Sequence, residues 1–394
     1  MVHHYRQIKK AIRGSLLAES FLCCRYSFSP FMACGHGCRY CDGRAEKYWV
    51  EGSFERDIVV RRNLVETLRS ELPRLRERAP IAIGSGITDS YQPVEATECL
   101  MREAALLLAE HPFPVTVLTK SALIRRDADA WSRVNARGGF SLSMTIVTLD
   151  DGVRRVFEPG ASPIAERLRA LREFRELGCA TGIYAMPLLP YISDGEEQIR
   201  ALCAAAKEIG AQFVMFGGLT LRPGRQKECF MEEIRQSYPE LETPYRDLYS
   251  EERASGNSKW EYRNRLHRRI TAAVFDAGVS PLIPHRIYRD RMPLYDELYV
   301  LLLHMADLYD WRGIATGPLR EATGRYAAWL RERKREFNRK RKMRQGELED
   351  ELRLLLRDGG SMRILGNRKL NAFLREVALE RRVFDYVSLK PVPA

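Results

Sequence analysis

The chain has 394 residues, is 45% hydrophobic and 29% charged, and carries a formal net charge of +12. That composition belongs to a folded globular protein, and the length suits one barrel-sized domain with an extension or two to three smaller domains. No stretch approaches the roughly 18 consecutive apolar residues of a membrane span, and Met1 to Arg13 is polar and basic, so neither a span nor a secretory leader is expected.

The charge is unevenly placed. Residues 312–394 hold 21 Lys/Arg against 11 Asp/Glu, a net of +10, which leaves about +2 for everything before them. A near-neutral body with a basic end favours a polyanionic partner. The nine cysteines are odd in number and unevenly spaced, unlike a disulfide framework, so a reducing cytoplasmic setting is expected.

In chain order, Phe21 to Tyr26 reads as the first strand. An apolar run ending Phe28-Ser29-Pro30-Phe31-Met32-Ala33 then leads into Cys34-Gly35-His36-Gly37-Cys38-Arg39-Tyr40-Cys41. Its spacing is Cys-x3-Cys-x2-Cys, and the two glycines allow a fold tight enough for the three sulfurs to converge. Converging thiolates bind soft metals, either zinc or the irons of an Fe–S cluster. A structural zinc site needs a fourth ligand, such as His36 or a distant cysteine. A cluster held by three thiolates leaves one iron free to bind something else.

Further strands are expected at Ile81 to Gly86, closing in the turn Gly84-Ser85-Gly86, and at Val115 to Lys120, Phe140 to Val147, Ala180 to Leu189 and Phe213 to Leu221. Amphipathic helical stretches separate them, such as Leu64, Val65, Leu68, Leu72 and Leu75, or Ile164, Leu168, Leu171 and Phe174. Six alternating strand–helix units imply a parallel sheet with right-handed crossovers, either a partial barrel or a doubly wound sheet. Chemistry in both collects at the carboxyl ends of the strands, where the cysteines, Gly84-Ser85-Gly86, Thr119-Lys120 and Pro187 to Pro190 all fall.

The alternation stops near Pro223. Residues 1–224 are therefore read as the α/β body, 225–311 as a helical elaboration packed on it, and 312–394 as a basic, helical C-terminal extension. Arg331 to Arg344 contains nine Lys/Arg and two Glu. No base-reading motif accompanies this run, so contact with nucleic acid would be to phosphates.

The cysteine spacing, with an aromatic before the last Cys, resembles the radical S-adenosylmethionine (SAM) enzymes. Within them the chain resembles the spore photoproduct lyase-like, "DNA repair photolyase-like" family. Thr88-Asp89-Ser90-Tyr91-Gln92-Pro93-Val94-Glu95, Leu118-Thr119-Lys120-Ser121, Phe157 to Pro163 and Arg167 carry that narrower likeness, which runs from about Phe28 to about Pro284. The resemblance implies a partial (β/α)6 TIM-type barrel of the radical SAM kind. It implies that Cys34, Cys38 and Cys41 ligate a [4Fe–4S] cluster whose open iron takes the amino and carboxylate groups of SAM. Reduction of the cluster by a donor such as flavodoxin or ferredoxin would cleave SAM to methionine and a 5′-deoxyadenosyl radical, which abstracts a substrate hydrogen. Tyr40 would lie near the adenine. Thr88, Lys120 and Ser143 would hold the methionine end, and Gly84, Ser85 and Gly86 would form the strand-end turn against it. Glu158 is read as a structural partner of Arg167. The lyases return a hydrogen from a cysteine three residues before the matching Asp, where this chain has Gly86 instead. Repair or modification of nucleic acid is the expected activity. A peptide or small-metabolite substrate is the rival, and a non-catalytic zinc protein that binds nucleic acid is the alternative from another class.

Overall fold

A computed structural model of the chain describes residues 1–84, 87–340 and 342–394. Its strands are β1 (Val2–Arg6), β2 (Arg13–Glu19), β3 (Cys24–Phe28), β4 (Phe31–Met32), β5 (Asp57–Arg61), β6 (Ile81–Ile83), β7 (Val115–Thr119), β8 (Phe140–Thr145), β9 (Ala180–Leu188), β10 (Val214–Gly218), β11 (Arg382–Asp385) and β12 (Lys390–Pro393). Seven of them form one sheet in the order β10-β9-β8-β7-β6-β3-β2. From β3 to β10 every neighbour is parallel and follows in chain order. This is the expected six-stranded α/β layout, and the sheet stays open, as in a partial barrel.

Strand alternation sorts the two faces. Ile81 and Ile83, Val115 and Val117, and Phe140, Leu142 and Met144 point outward into a core shared with Leu64, Leu68, Met101, Trp131, Leu171 and Phe174 of the covering helices. The opposite pleats, Ala82, Ala180, Tyr184 and Met215, belong to a second core. Its other wall comes from C-terminal helices, through Leu298, Leu301, Tyr326, Leu330, Leu352 and Leu374. The inner face of the sheet is thus covered by the far end of the chain.

Three features depart from the sequence expectations. The first parallel strand is Cys24–Phe28, because Phe21 to Cys23 form the turn from an antiparallel edge strand, β2, with Cys23 at a positive φ of 50°. A small sheet β1-β5-β4 flanks the cysteine run. The C-terminal extension is largely helical but ends in the hairpin β11–β12. Its helices, Gly317–Arg339, Gln345–Asp358, Ser361–Leu365 and Arg368–Leu379, are tied to the sheet by buried charge. Lys334 Nζ lies 3.0 Å from Glu77 and 2.7 Å from Asp296, and Arg25 lies 2.6 Å from Glu77.

Candidate functional site

The cysteine run follows β4 as a chain of tight turns. Gly37 N–H donates to the Cys34 carbonyl at 3.2 Å, and Cys41 N–H to the Cys38 carbonyl at 3.4 Å. Gly37 takes a φ of +63°, which a side chain would strain. Two buried side chains and a pair of backbone hydrogen bonds hold this loop. Arg44 donates to the carbonyls of Cys38 (2.9 Å) and Gly37 (3.1 Å). Gln92 accepts from Gly35 N–H at 2.7 Å and donates to the Ala33 carbonyl at 3.1 Å and to Thr88 Oγ1 at 3.0 Å. From the strand-β8 side, Gly160 N–H donates to the His36 carbonyl at 2.9 Å, and Arg39 N–H to the Phe157 carbonyl at 2.9 Å.

A cavity of about 110 Å³ brings together Cys34, His36, Cys38 and Cys41 with Gly84, Thr88, Asp89, Thr119, Lys120 and Thr145. Groups at or just past the ends of β4, β6, β7 and β8 therefore share one chamber at the carboxyl edge of the sheet. Gly84 has φ +80°, and a Cβ there would stand 2.3 Å from the Leu118 carbonyl oxygen, so only glycine makes this turn. Ser85 and Gly86 lie outside the described residues.

Asp89 organises the strand ends. It accepts from Thr119 Oγ1 at 2.6 Å, from Lys120 N–H at 2.7 Å and from Tyr91 N–H at 2.8 Å. Burial opposes its charge, but His36 and these donors hold the carboxyl well below the usual range. His36 Nδ1 lies 3.4 Å from Asp89 without hydrogen-bond alignment. Burial would lower the Lys120 ammonium, yet Cys38, Glu158 and Cys41 raise it above its ordinary value. Its Nζ sits 5.8 Å from the centre of the Tyr40 ring. The Tyr40 hydroxyl donates to Glu158, and Glu158 pairs with Arg167 at 2.6 Å, both fully buried. The expected structural pairing of Glu158 with Arg167 is present, and it stands directly behind the cysteine loop.

The remaining sequence candidates are placed as follows. Thr88 Oγ1 donates to the Ala33 carbonyl at 2.6 Å, so its hydroxyl braces the loop entry while lining the chamber. Ser143 is buried on β8 but is not among the residues lining the chamber; Thr145, two residues on and on the same face of the strand, lines it. Tyr40 is buried behind the loop. Gln92 stands inside the Thr88 to Glu95 stretch that carries the narrower likeness, but neither it nor Arg44 has a role that the sequence assigns, because polarity in a turn-rich run does not reveal a carbonyl-capping side chain.

The donor set suits an Fe–S cluster. Burial raises all three thiols, Cys38 to about 12 and Cys34 well above its usual value. Bare thiolates are disfavoured here until cationic iron compensates them. Among the described residues, no three His, Cys, Asp or Glu side chains converge as ligands of a single ion. In a cluster, by contrast, each cysteine binds a different iron, so the sulfurs need only face a common chamber.

Residues 28–203 match the family model described as the radical SAM superfamily. Uncharacterised proteins of Mycobacterium tuberculosis (strain ATCC 25618 / H37Rv) and Mycobacterium bovis (strain ATCC BAA-935 / AF2122/97) are each 30% identical over 285 residues, covering 71% of this chain and 80% of theirs. An uncharacterised protein of Methanocaldococcus jannaschii is 24% identical over 217 residues, covering 55% of this chain and 77% of its own. The chain belongs to the radical SAM superfamily, whose enzymes use a [4Fe–4S] cluster and S-adenosylmethionine. Its fold is similar to that of a spore photoproduct lyase double mutant with bound AdoMet and dinucleoside spore photoproduct, with a TM-score of 0.51 and 14% identity over 70% of this chain and 79% of that one. A second lyase mutant, with dinucleoside spore photoproduct, gives a TM-score of 0.50 at 15% identity over the same shares. No helix among the described residues is long and apolar enough to cross a membrane.

Proposed function

We propose that this radical SAM enzyme repairs or modifies nucleic acid by chemistry related to photoproduct lysis. Cys34, Cys38 and Cys41 hold the cluster, and Lys120 offers its ammonium to the carboxylate of SAM as a point charge. Thr88 and Gly84, which line the same chamber, complete the SAM contacts, with Thr145 in the place expected of Ser143. The cluster and SAM together supply a carbon radical that removes hydrogen from the substrate. Arg44, Gln92 and Gly160 hold the cysteine loop to the barrel, and the Glu158–Arg167 pair fixes Tyr40 behind it. A flavodoxin or ferredoxin supplies electrons. A base in a duplex must leave the stack, or already be distorted, to reach a chamber at the strand ends.

The observation that carries the substrate class is the exposed basic face within Arg331 to Arg344 on a barrel whose fold is similar to that of lyases bound to a dinucleoside photoproduct. Gly86 favours a second reading. A glycine has no thiol S–H to give a product radical, so either another group quenches it or the substrate is a peptide or small metabolite.

Anaerobic reconstitution with iron and sulfide, followed by SAM, reductant and ultraviolet-irradiated DNA, tests the proposal. Formation of 5′-deoxyadenosine with loss of a photoproduct supports it. Radical formation with every photoproduct intact turns the substrate toward the second reading. A colourless protein that binds zinc and never forms 5′-deoxyadenosine overturns the ligand assignment. Cys38→Ala should abolish the cluster and SAM cleavage together.

A further inference from the structure

The basic run does not lie beside the chamber. Strand polarity puts the cysteine loop, Gly84 and Lys120 at the carboxyl ends of the parallel strands, whereas Arg76 and Arg78 immediately precede the amino end of β6. Arg76 donates to the carbonyls of Phe337 (2.8 Å), Lys340 (3.1 Å) and Met343 (2.7 Å), closing the carboxyl end of helix Gly317–Arg339. Arg78 N–H donates to Gln345 Oε1 at 2.7 Å, and its Nε to the carbonyl of Pro112, which precedes β7. These bonds pin the basic run to the opposite edge of the barrel. β7 and β8, whose ends reach the chamber, have five and six residues, so at about 3.3 Å per residue the two edges stand roughly 20 Å apart.

Part of the run's charge is spent inside the protein. Lys334 is buried against Glu77 and Asp296, Arg333 pairs with Glu351 at 2.6 Å, and Lys340 pairs with Glu336 at 2.5 Å. Arg331, Arg335, Arg339, Lys342 and Arg344 are exposed, and none is ion-paired among the described residues. The first three recur every four residues, so they form one stripe with steps of about 6 Å along the axis. Like charges at that spacing cost a helix about 0.2–0.5 kcal/mol per pair, which solubility alone does not require.

We propose that this stripe is a phosphate-backbone anchor for nucleic acid, remote from the radical site on the opposite edge of the barrel. The proposal rests on the nucleic-acid reading above and adds a division of labour. The stripe supplies affinity for long substrate, and the chamber handles the reacting nucleotide. At 3.4 Å per base pair, about six base pairs are needed to span the two edges.

The test measures binding of a fluorescent duplex of about 24 base pairs, roughly 80 Å long, by the reconstituted full-length enzyme at several salt concentrations. Five phosphate contacts predict an affinity loss of about 500-fold between 50 and 200 mM salt, and two contacts a loss of about 12-fold. The triple variant Arg331→Gln, Arg335→Gln, Arg339→Gln should move from the first behaviour to the second. Its iron content, melting temperature and substrate-free cleavage of SAM should match the parent. A second variant, Lys342→Gln with Arg344→Gln, should fall between. An unchanged salt slope in the triple variant overturns the anchor while leaving the nucleic-acid reading intact. Loss of DNA binding together with SAM cleavage refutes the remoteness and so overturns it too. A parent enzyme that binds no DNA, or binds only anionic vesicles, removes the underlying reading as well.

Discussion

Gly160 is where two segments that build the chamber touch backbone to backbone. Its φ is unexceptional, so alanine meets no conformational penalty; the obstacle is space. A Cβ there would lie 2.6 Å from the Gly35 carbonyl oxygen, 2.9 Å from His36 Cα and 3.0 Å from the His36 carbonyl oxygen. Cβ atoms essentially never approach within 3.0 Å, so the Gly35–His36 peptide must retreat by at least 0.4 Å. That peptide lies between Cys34 and Cys38, and the Gly160 N–H to His36 bond of 2.9 Å opposes its movement. Overpacking of this kind costs about 1–3 kcal/mol. The cost falls on the loop rather than on the cores, so Gly160→Ala should keep most of its melting temperature but retain several-fold less iron after reconstitution and desalting. Iron quantitation, the visible absorption of the cluster and a thermal melt of the apoprotein measure the two effects separately. Full iron retention with an unchanged cluster spectrum would refute the reasoning, because it would mean that the loop does not need this contact to present its thiols.

Gly324, inside helix Gly317–Arg339, is the converse case: nothing lies within 4 Å of its would-be Cβ, so Gly324→Ala should stabilise the protein by about 0.5–1 kcal/mol in a urea titration. Lys334→Met should cost about 3–5 kcal/mol by the same measurement, since it leaves Glu77 and Asp296 buried with Arg25 alone; an unchanged midpoint would show that the network does not hold the C-terminal helices down. His304 gives a pH dependence. Its Nε2 contacts the Ser20 carbonyl at 3.0 Å and its Nδ1 the Tyr386 hydroxyl at 2.7 Å, and burial pushes it down to about 4. The unfolded chain takes up that proton near pH 6.5, so the stability from neutral His304 is complete above pH 6.5 and is lost as pH falls toward 4. The full span amounts to roughly 3 kcal/mol, and His304→Gln should flatten that part of the stability curve.

Much of the layout was legible because it rests on local rules. Runs such as Ile81-Ala82-Ile83 and Val115 to Thr119, separated by helical stripes, specify parallel strands and crossovers, and from these follows the edge that gathers the chemistry. The Cys-x3-Cys-x2-Cys spacing carried the metal chemistry because sulfur ligands and tight glycine turns leave a pattern in a few consecutive residues. Antiparallel β2 was missed because its polar, exposed start is followed by Leu16, Leu17 and Ala18 in a row, which gives no alternation, and the turn at Phe21 to Cys23 depends on Cys23 adopting a positive φ.

What the sequence alone determined was the order of the strands, the identity of the thiols and the total charge of the far end. Only the tertiary structure decided how those pieces are used. Arg44, Gln92 and Gly160 act on the cysteine loop from up to 126 positions away, the separation of Cys34 from Gly160 in the numbering. Hydrogen bonds and steric limits over such distances leave no periodic trace. Likewise, the run from Arg331 to Arg344 reads as uniformly basic in one dimension. Packing buries Lys334, pairs Arg333 and Lys340, and turns the remaining charges to solvent on the edge opposite the cysteines. Charge is a property of composition, but where it points depends on which helix face meets the core.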